Sequence, residues 1–164
     1  MPYSSPDGKR EIHEWFGRQT DIKSVLDIGC GSGTYPKLLK DKNYRWIGIE
    51  IWEPYVKEFR LNEIYDCVMI GDFTNMALPI CDCIIFGDVI EHLEKEKAIR
   101  AIRDANGAFK HIVISIPISY EQKAPGDNPF EEHKSVWTFE EIDREVPPSF
   151  KFRRLFKNIA VFIK

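Results

Sequence analysis

No apolar run in the 164-residue sequence approaches the roughly 18 residues of a membrane span, and Met1 to Arg10 hold no apolar stretch of the secretory kind. A cytoplasmic protein with no membrane association is expected. Cysteine is sparse, and Cys30, Cys67, Cys81 and Cys83 form no CxxC pair. Neither a disulfide framework nor a zinc ribbon is therefore expected, and Cys67 and Cys83, set in apolar runs, read as small packed hydrophobes. Charge of one sign is not in excess either: 23 Lys and Arg stand against 26 Asp and Glu, a net charge of -3. That balance argues against a polyanionic partner, whose phosphates need neutralising, so nucleic acid is not expected. Lys151, Arg153, Arg154, Lys157 and Lys164 near the C-terminus read as a solvated strand face. Internal repeats and low-complexity tracts are absent. The length fits one domain spanning residues 1–164, and 43% hydrophobic with 30% charged residues is the composition of a folded core rather than of disorder.

What the sequence does have is an alternation of strand-like and helix-like runs, which implies a parallel sheet covered on both faces. Strands are predicted at 24–29, 45–50, 66–70, 82–87 and 111–116, and a terminal hairpin pairs 150–156 with 159–163. A first helix begins after Ser5-Pro6 and presents Ile12, Trp15 and Phe16 before Gly17. A helix near 90–105 buries Ile90, Leu93, Ile99 and Ile102, and Thr138-Phe-Glu-Glu141 is a capping box for a short last helix. Residues 118–137 form a connection too long to be idle, and with segment 1–20 they are the material available for recognising a second substrate.

The chemistry starts at Val25-Leu-Asp27-Ile-Gly29-Cys30-Gly31-Ser-Gly33, a strand running into a glycine-rich turn and then a helix, where backbone can pass close to a ligand. Glu50 ends the next strand about 20 residues on, where a carboxylate can accept from both hydroxyls of a ribose. Thr34 stands where a dinucleotide pattern wants Gly or Ala, and Asp27 before the loop would repel a pyrophosphate but attract an amino group. S-adenosylmethionine carries an ammonium and a sulfonium. Asp72 in Gly71-Asp72-Phe73 can accept from an adenine amino group while Phe73 lies against the ring.

With these motifs the sequence resembles the class I S-adenosylmethionine-dependent methyltransferases, from about Ser24 to the C-terminus. The resemblance implies a Rossmann-like methyltransferase fold with a seven-stranded, mostly parallel sheet, order 3-2-1-4-5-7-6, strand 7 antiparallel and helices on both faces. It implies that Asp27, Gly29, Cys30, Gly31, Gly33, Glu50, Ile51, Asp72, Phe73 and Asp88 hold the cofactor, and that segment 1–20 supplies an N-terminal lid helix. Phe86-Gly-Asp88-Val-Ile-Glu91-His92 matches the fourth motif. Two departures stand out. The link between strands 3 and 4 is too short for a full helix, and Asp104-Ala-Asn-Gly-Ala108 lacks the usual Pro-Gly-Gly turn.

Asp88, Glu91 and His92 at i, i+3 and i+4 share one face if a helix starts near Asp88, and they are the candidate catalytic residues, with His92 as base. Asp88, Glu91, His92 and His133 are also similar to the four ligands of metal-dependent methyltransferases acting on the terminal 2′-hydroxyl of small RNAs. No metal is the leading expectation, and Glu91, His92 and His133 are the candidate ligands for one. Trp15 and Trp137 lie on segments able to cover the cleft, Trp52 can flank the adenine, and Trp46 reads as core. Glu121, Asp127, Glu131 and Glu132 make the 118–137 loop acidic, which disfavours a phosphate-rich acceptor. The expected activity is methyl transfer to a small-molecule or saccharide hydroxyl or amine. The alternatives are a metal-dependent RNA ribose methyltransferase and a cofactor-binding partner without catalysis.

Overall fold

Short apolar runs become the strands of a single sheet. In the computed structural model, which describes residues 4–124 and 126–164, these are β1 (Ser24–Ile28), β2 (Arg45–Glu50), β3 (Cys67–Ile70), β4 (Cys83–Gly87), β5 (His111–Pro117), β6 (Phe152–Phe156) and β7 (Ile159–Ile163). Their order is β3-β2-β1-β4-β5-β7-β6. The pairs β1–β2, β1–β4, β2–β3 and β4–β5 are parallel, and β7 runs antiparallel to β5 and β6. This is the expected topology, including the reversed seventh strand.

Alternation of side chains along each strand separates two cores. On one face Leu26, Ile28, Ile84, Phe86, Ile112 and Ile114 pack under α4 (Lys95–Ala108) and α5 (Phe139–Glu145). On the other, Val25, Ile85, Val113 and Val161 meet Ile12 and Phe16 of α1 (Lys9–Arg18) and Tyr35 of α2 (Thr34–Leu38). A short α3 (Glu53–Glu58) follows β2. The capping box forms as expected: Thr138 Oγ1 accepts from the Glu141 N–H and the Glu141 carboxylate from the Thr138 N–H, a cap of about 1 kcal/mol.

Several local expectations are corrected. Helix α1 starts at Lys9, because Gly8 takes a left-handed φ of 78° beneath Val161 and breaks the run from Ser5. The helix expected near 90–105 is divided. Asp88 adopts φ 56°, a 3-10 turn covers Ile90–His92, Leu93 and Glu94 are extended, and α4 then runs through Gly107 to Ala108. Asp88, Glu91 and His92 therefore do not share a helical face. Strand β3 is not doubly covered: Cys67 is exposed and Ile70 half exposed, because the β3–β4 link holds only the turn Phe73–Asn75.

Trp15 meets His111 at the start of β5, the end of the sheet away from the strands' carboxyl termini, and Trp137 is buried with its indole N–H on Ser135 Oγ. Neither covers the cleft; Trp46 is core. The basic C-terminal residues are not all solvated. Arg153 donates to Asp143 and to the carbonyls of Val146, Pro147 and Phe150, and Lys164 to those of Asn106 and Phe109.

Candidate active site

The glycine loop leaves β1 with Gly29, Gly31 and Gly33 at φ 68°, 48° and 74°, a left-handed path that side chains resist. Glu50, at the end of β2 and buried, fastens it: Oε2 accepts from the Gly31 N–H at 2.9 Å and Oε1 from the Trp52 N–H at 2.9 Å. Burial pushes the Glu50 carboxyl up, and these N–H groups pull it back. Beside the loop, at the carboxyl ends of the strands, lies a cleft of about 340 Å³. Such a volume suits a nucleoside-sized ligand.

The cleft gathers most of the expected cofactor residues. Asp72 and Phe73 line one end, Glu50 and Ile51 the middle, and Gly29, Cys30, Gly31 and Asp88 the other end. The Asp72 carboxylate also caps its own turn, accepting from Thr74 and Asn75. Asp27 and Gly33 are not in the cleft wall. The period of β1 turns the Asp27 side chain toward the α1 face, where its Oδ2 accepts from Tyr65 OH at 2.6 Å. Burial pushes its pKa up to about 7, against the pull of Tyr65 and Lys9. Trp52 packs on Phe130 with ring centroids 6.1 Å apart rather than in the wall.

Beyond β4, Asp88 is held on both carboxylate oxygens. Oδ1 accepts from Ser115 Oγ, and Oδ2 from Ser4 Oγ and the Ser5 N–H. Glu91 is fully buried and its Oε2 has no hydrogen-bond partner; burial and the nearby Asp88 push its pKa well up. The His92 Nδ1–H donates to the Glu132 carbonyl at 3.0 Å, and the His133 Nδ1–H to the Tyr120 carbonyl at 2.9 Å. A carbonyl only accepts, so both rings carry a proton on Nδ1, and in the neutral tautomer so fixed Nε2 is the accepting nitrogen. The rings lie 4.9 Å apart, and ligand atoms of Glu91, His92 and His133 fall within 4.8 Å of one another. Asp88, engaged as above, is not in that cluster. Burial lowers the pKa of His92, which keeps it neutral near pH 7.

Residues that the motifs did not single out complete the wall, among them Ser4, Tyr35, Tyr55, Asn128 and Lys134. Tyr55 OH donates to Glu131 Oε1 at 3.2 Å, and Asn128 caps the Phe130 turn. The 118–137 segment thus folds back over the Glu50 side, while its His133 stands on the other. Asn128-Pro129-Phe130 carried a readable turn signal; Tyr35 and Tyr55 carried none.

A parallel sheet with a reversed seventh strand, a glycine loop and an acid closing β2 defines the class I S-adenosylmethionine-dependent methyltransferase fold. A family model described as a methyltransferase domain matches residues 26–108, half of the chain, and the chain belongs to that family. A ubiquinone biosynthesis O-methyltransferase of Idiomarina loihiensis is 26% identical over 84 residues, 47% of this chain. The chain matches only 35% of that relative's length.

Among solved structures, an S-adenosylmethionine-dependent methyltransferase from Archaeoglobus fulgidus superposes with TM-score 0.69 and 18% identity, over 94% of this chain and 91% of its own. The N-terminal domain of EvdMO1, crystallised in the presence of S-adenosylhomocysteine and D-fucose, gives TM-score 0.69 at 11% identity over 98% and 82%. A small RNA methyltransferase gives 0.68 at 20% over 96% of this chain and 25% of its own. At these identities the likeness is one of fold. No helix among the described residues is long and apolar enough to cross a membrane.

Proposed function

We propose that the chain methylates a hydroxyl of a neutral small molecule or saccharide, with S-adenosylmethionine as donor. Transfer to a hydroxyl needs alignment of the acceptor and a place for its proton. The observation that carries the reading is the pair of imidazoles, His92 and His133, each held by a main-chain carbonyl so that Nε2 is free to accept. His92 borders the cleft next to Asp88, and in this reading takes the proton. Asp72, Phe73, Glu50 and the glycine loop hold the nucleoside half of the donor. Glu131 in the cleft wall, with Glu121, Asp127 and Glu132 on the same segment, favours a neutral acceptor over RNA. The O-methyltransferase relative and the neighbour crystallised with D-fucose support oxygen and a sugar as acceptor chemistry.

One arrangement favours a second reading of the same site. The buried Glu91 carboxyl, with Oε2 unpartnered, and the His92 and His133 imidazoles, with ligand atoms within 4.8 Å of one another, are a donor set of the kind a divalent cation takes. The carbonyls on Nδ1 are the outer contacts that such ligands commonly have. Bound there, a cation would lower the cost of ionising a hydroxyl.

Turnover of S-adenosylmethionine across mixed neutral acceptors, read by product mass, tests the first reading. His92→Ala should lose turnover and keep cofactor affinity; cofactor binding without turnover on any acceptor would leave a binding module instead. Metal analysis of protein purified without a His-tag tests the second. Substoichiometric metal with activity indifferent to chelator removes the cation and leaves His92 as base.

A further inference from the structure

Lys9 is a lysine 7% exposed, with no role in the mechanism above. Its Nζ donates to Ser4 Oγ at 2.7 Å and to Tyr35 OH at 2.8 Å, and stands 4.5 Å from the Tyr35 ring centroid. A buried ammonium costs several kcal/mol unless its surroundings offset it. Burial alone would lower its pKa, yet Tyr35 and Asp88 outweigh that and the group is held above its ordinary value. It is a permanent positive charge beneath the cleft.

Both partners of this ammonium, Ser4 and Tyr35, line the cleft at the end away from Asp72 and Phe73. The phenol oxygen lies directly on the end of β4, 2.7 Å from where a Cβ on Gly87 would stand. With the adenine at Asp72 and Phe73 and the ribose at Glu50, the amino-acid half of the cofactor falls at the Ser4 and Tyr35 end. Its carboxylate would meet a wall that already holds Glu50, Asp88 and Glu131. The cations in that wall are Lys97 and Lys134, and Lys9 behind it is the one that hydrogen-bonds to Ser4 and Tyr35. Lys97 borders Phe73 and Thr74, and Lys134 follows His133 with its N–H on the Glu91 carbonyl.

Tyr35 OH accepts from Lys9 and still has its own proton to give. An ammonium donating to a phenol oxygen strengthens the phenol as a donor in turn.

We propose that Lys9 is the positioning residue for the cofactor's carboxylate, acting through the Tyr35 hydroxyl. The proposal rests on S-adenosylmethionine as cofactor. It makes α1 part of cofactor selection, and it gives the domain a means of distinguishing a complete amino-acid tail from a truncated one.

Three ligands separate this from a purely structural lysine: S-adenosylhomocysteine, its decarboxylated analogue, and 5′-methylthioadenosine. Calorimetric titration of Lys9→Met should show S-adenosylhomocysteine affinity reduced about tenfold or more, the loss of a charge-assisted bond. The two ligands without a carboxylate should bind it as they bind wild type. Tyr35→Phe keeps the ring and guards against a Lys9 variant that fails to fold; it should show the same selective loss. The double variant should be no worse than the poorer single one, because both act on one bond. An equal reduction for all three ligands, or an unchanged ratio among them in Tyr35→Phe, overturns the proposal. If wild type binds none of the three, the cofactor reading falls and takes this proposal with it.

Discussion

Tyr65 donates a 2.6 Å hydrogen bond to Asp27 inside the α1 face of the sheet, and this buried pair accounts for an acid at the glycine loop that never reaches the cleft. Burial raises the Asp27 pKa from 3.8 to about 7, so the folded protein holds this proton more tightly than the unfolded chain. The stability it contributes is complete below about pH 4, declines between about pH 4 and 7 by at most about 1.4 kcal/mol per pH unit, and is constant above. Asp27→Asn should remove that decline. Urea midpoints at pH 5 and pH 8 should therefore shift in the variant's favour at the higher pH, and parallel profiles for the two proteins would place the ionisation elsewhere.

Gly87 presses on Tyr35: a Cβ there would stand 2.0 Å from Cε2 of the ring. Gly87→Ala should lose about 1–3 kcal/mol by overpacking. The loss should shrink when Tyr35 is also Ala, although that change alone opens a cavity. A double-mutant cycle of unfolding free energies checks this, and strict additivity would count against the contact.

Glu50 accepts two backbone N–H groups, so its removal should disturb the loop as well as the ribose contacts proposed for it. Glu50→Ala should weaken S-adenosylhomocysteine binding by about 1–3 kcal/mol. Glu50→Gln should do no better than partial rescue, because its amide would set a donor against one of those N–H groups. Titration calorimetry decides, and wild-type affinity in the Ala variant would remove Glu50 from the site.

Arg153 gathers carbonyls from the end of α5 and the turn that follows it, together with the Asp143 carboxylate. Arg153→Lys keeps the charge but not the planar fork, and should cost about 1–3 kcal/mol in a denaturant titration. A shift below a few tenths would mean that water replaces those bonds freely.

The strands were legible because their signals are local: apolar runs of strand length, the first four closed by Gly or an acid, and a hairpin marked by Lys157-Asn158; their order was implied by the family resemblance. The cleft was legible for the same reason, since Gly29, Gly31 and Glu50 line it close to where the sequence puts them. Asp27 was misplaced because strand alternation sends neighbours to opposite faces, and the motif does not record which face the ligand occupies. The helical reading of Asp88 to His92 failed on one backbone angle at Asp88, set by the tertiary tie of its N–H to the Ser115 carbonyl. The approach of His133 to His92 was suggested by resemblance, whereas its geometry depends on how 118–137 folds. Tyr35 and Lys9 were invisible because their meaning lies in contacts between segments 26 residues apart.

The carbonyls of Glu132 and Tyr120 that orient the two imidazoles belong to the main chain, and a carbonyl survives almost any substitution at its own position. In the proposed reading, side chains along 118–137 are thus free to diverge while the Nε2 atoms of the two imidazoles keep their aim. Selection on a new acceptor can act on the loop's surface without first dismantling its chemistry. An engineer could use the same freedom by randomising exposed positions such as Glu121, Lys123 and Glu132 and leaving the imidazoles in place.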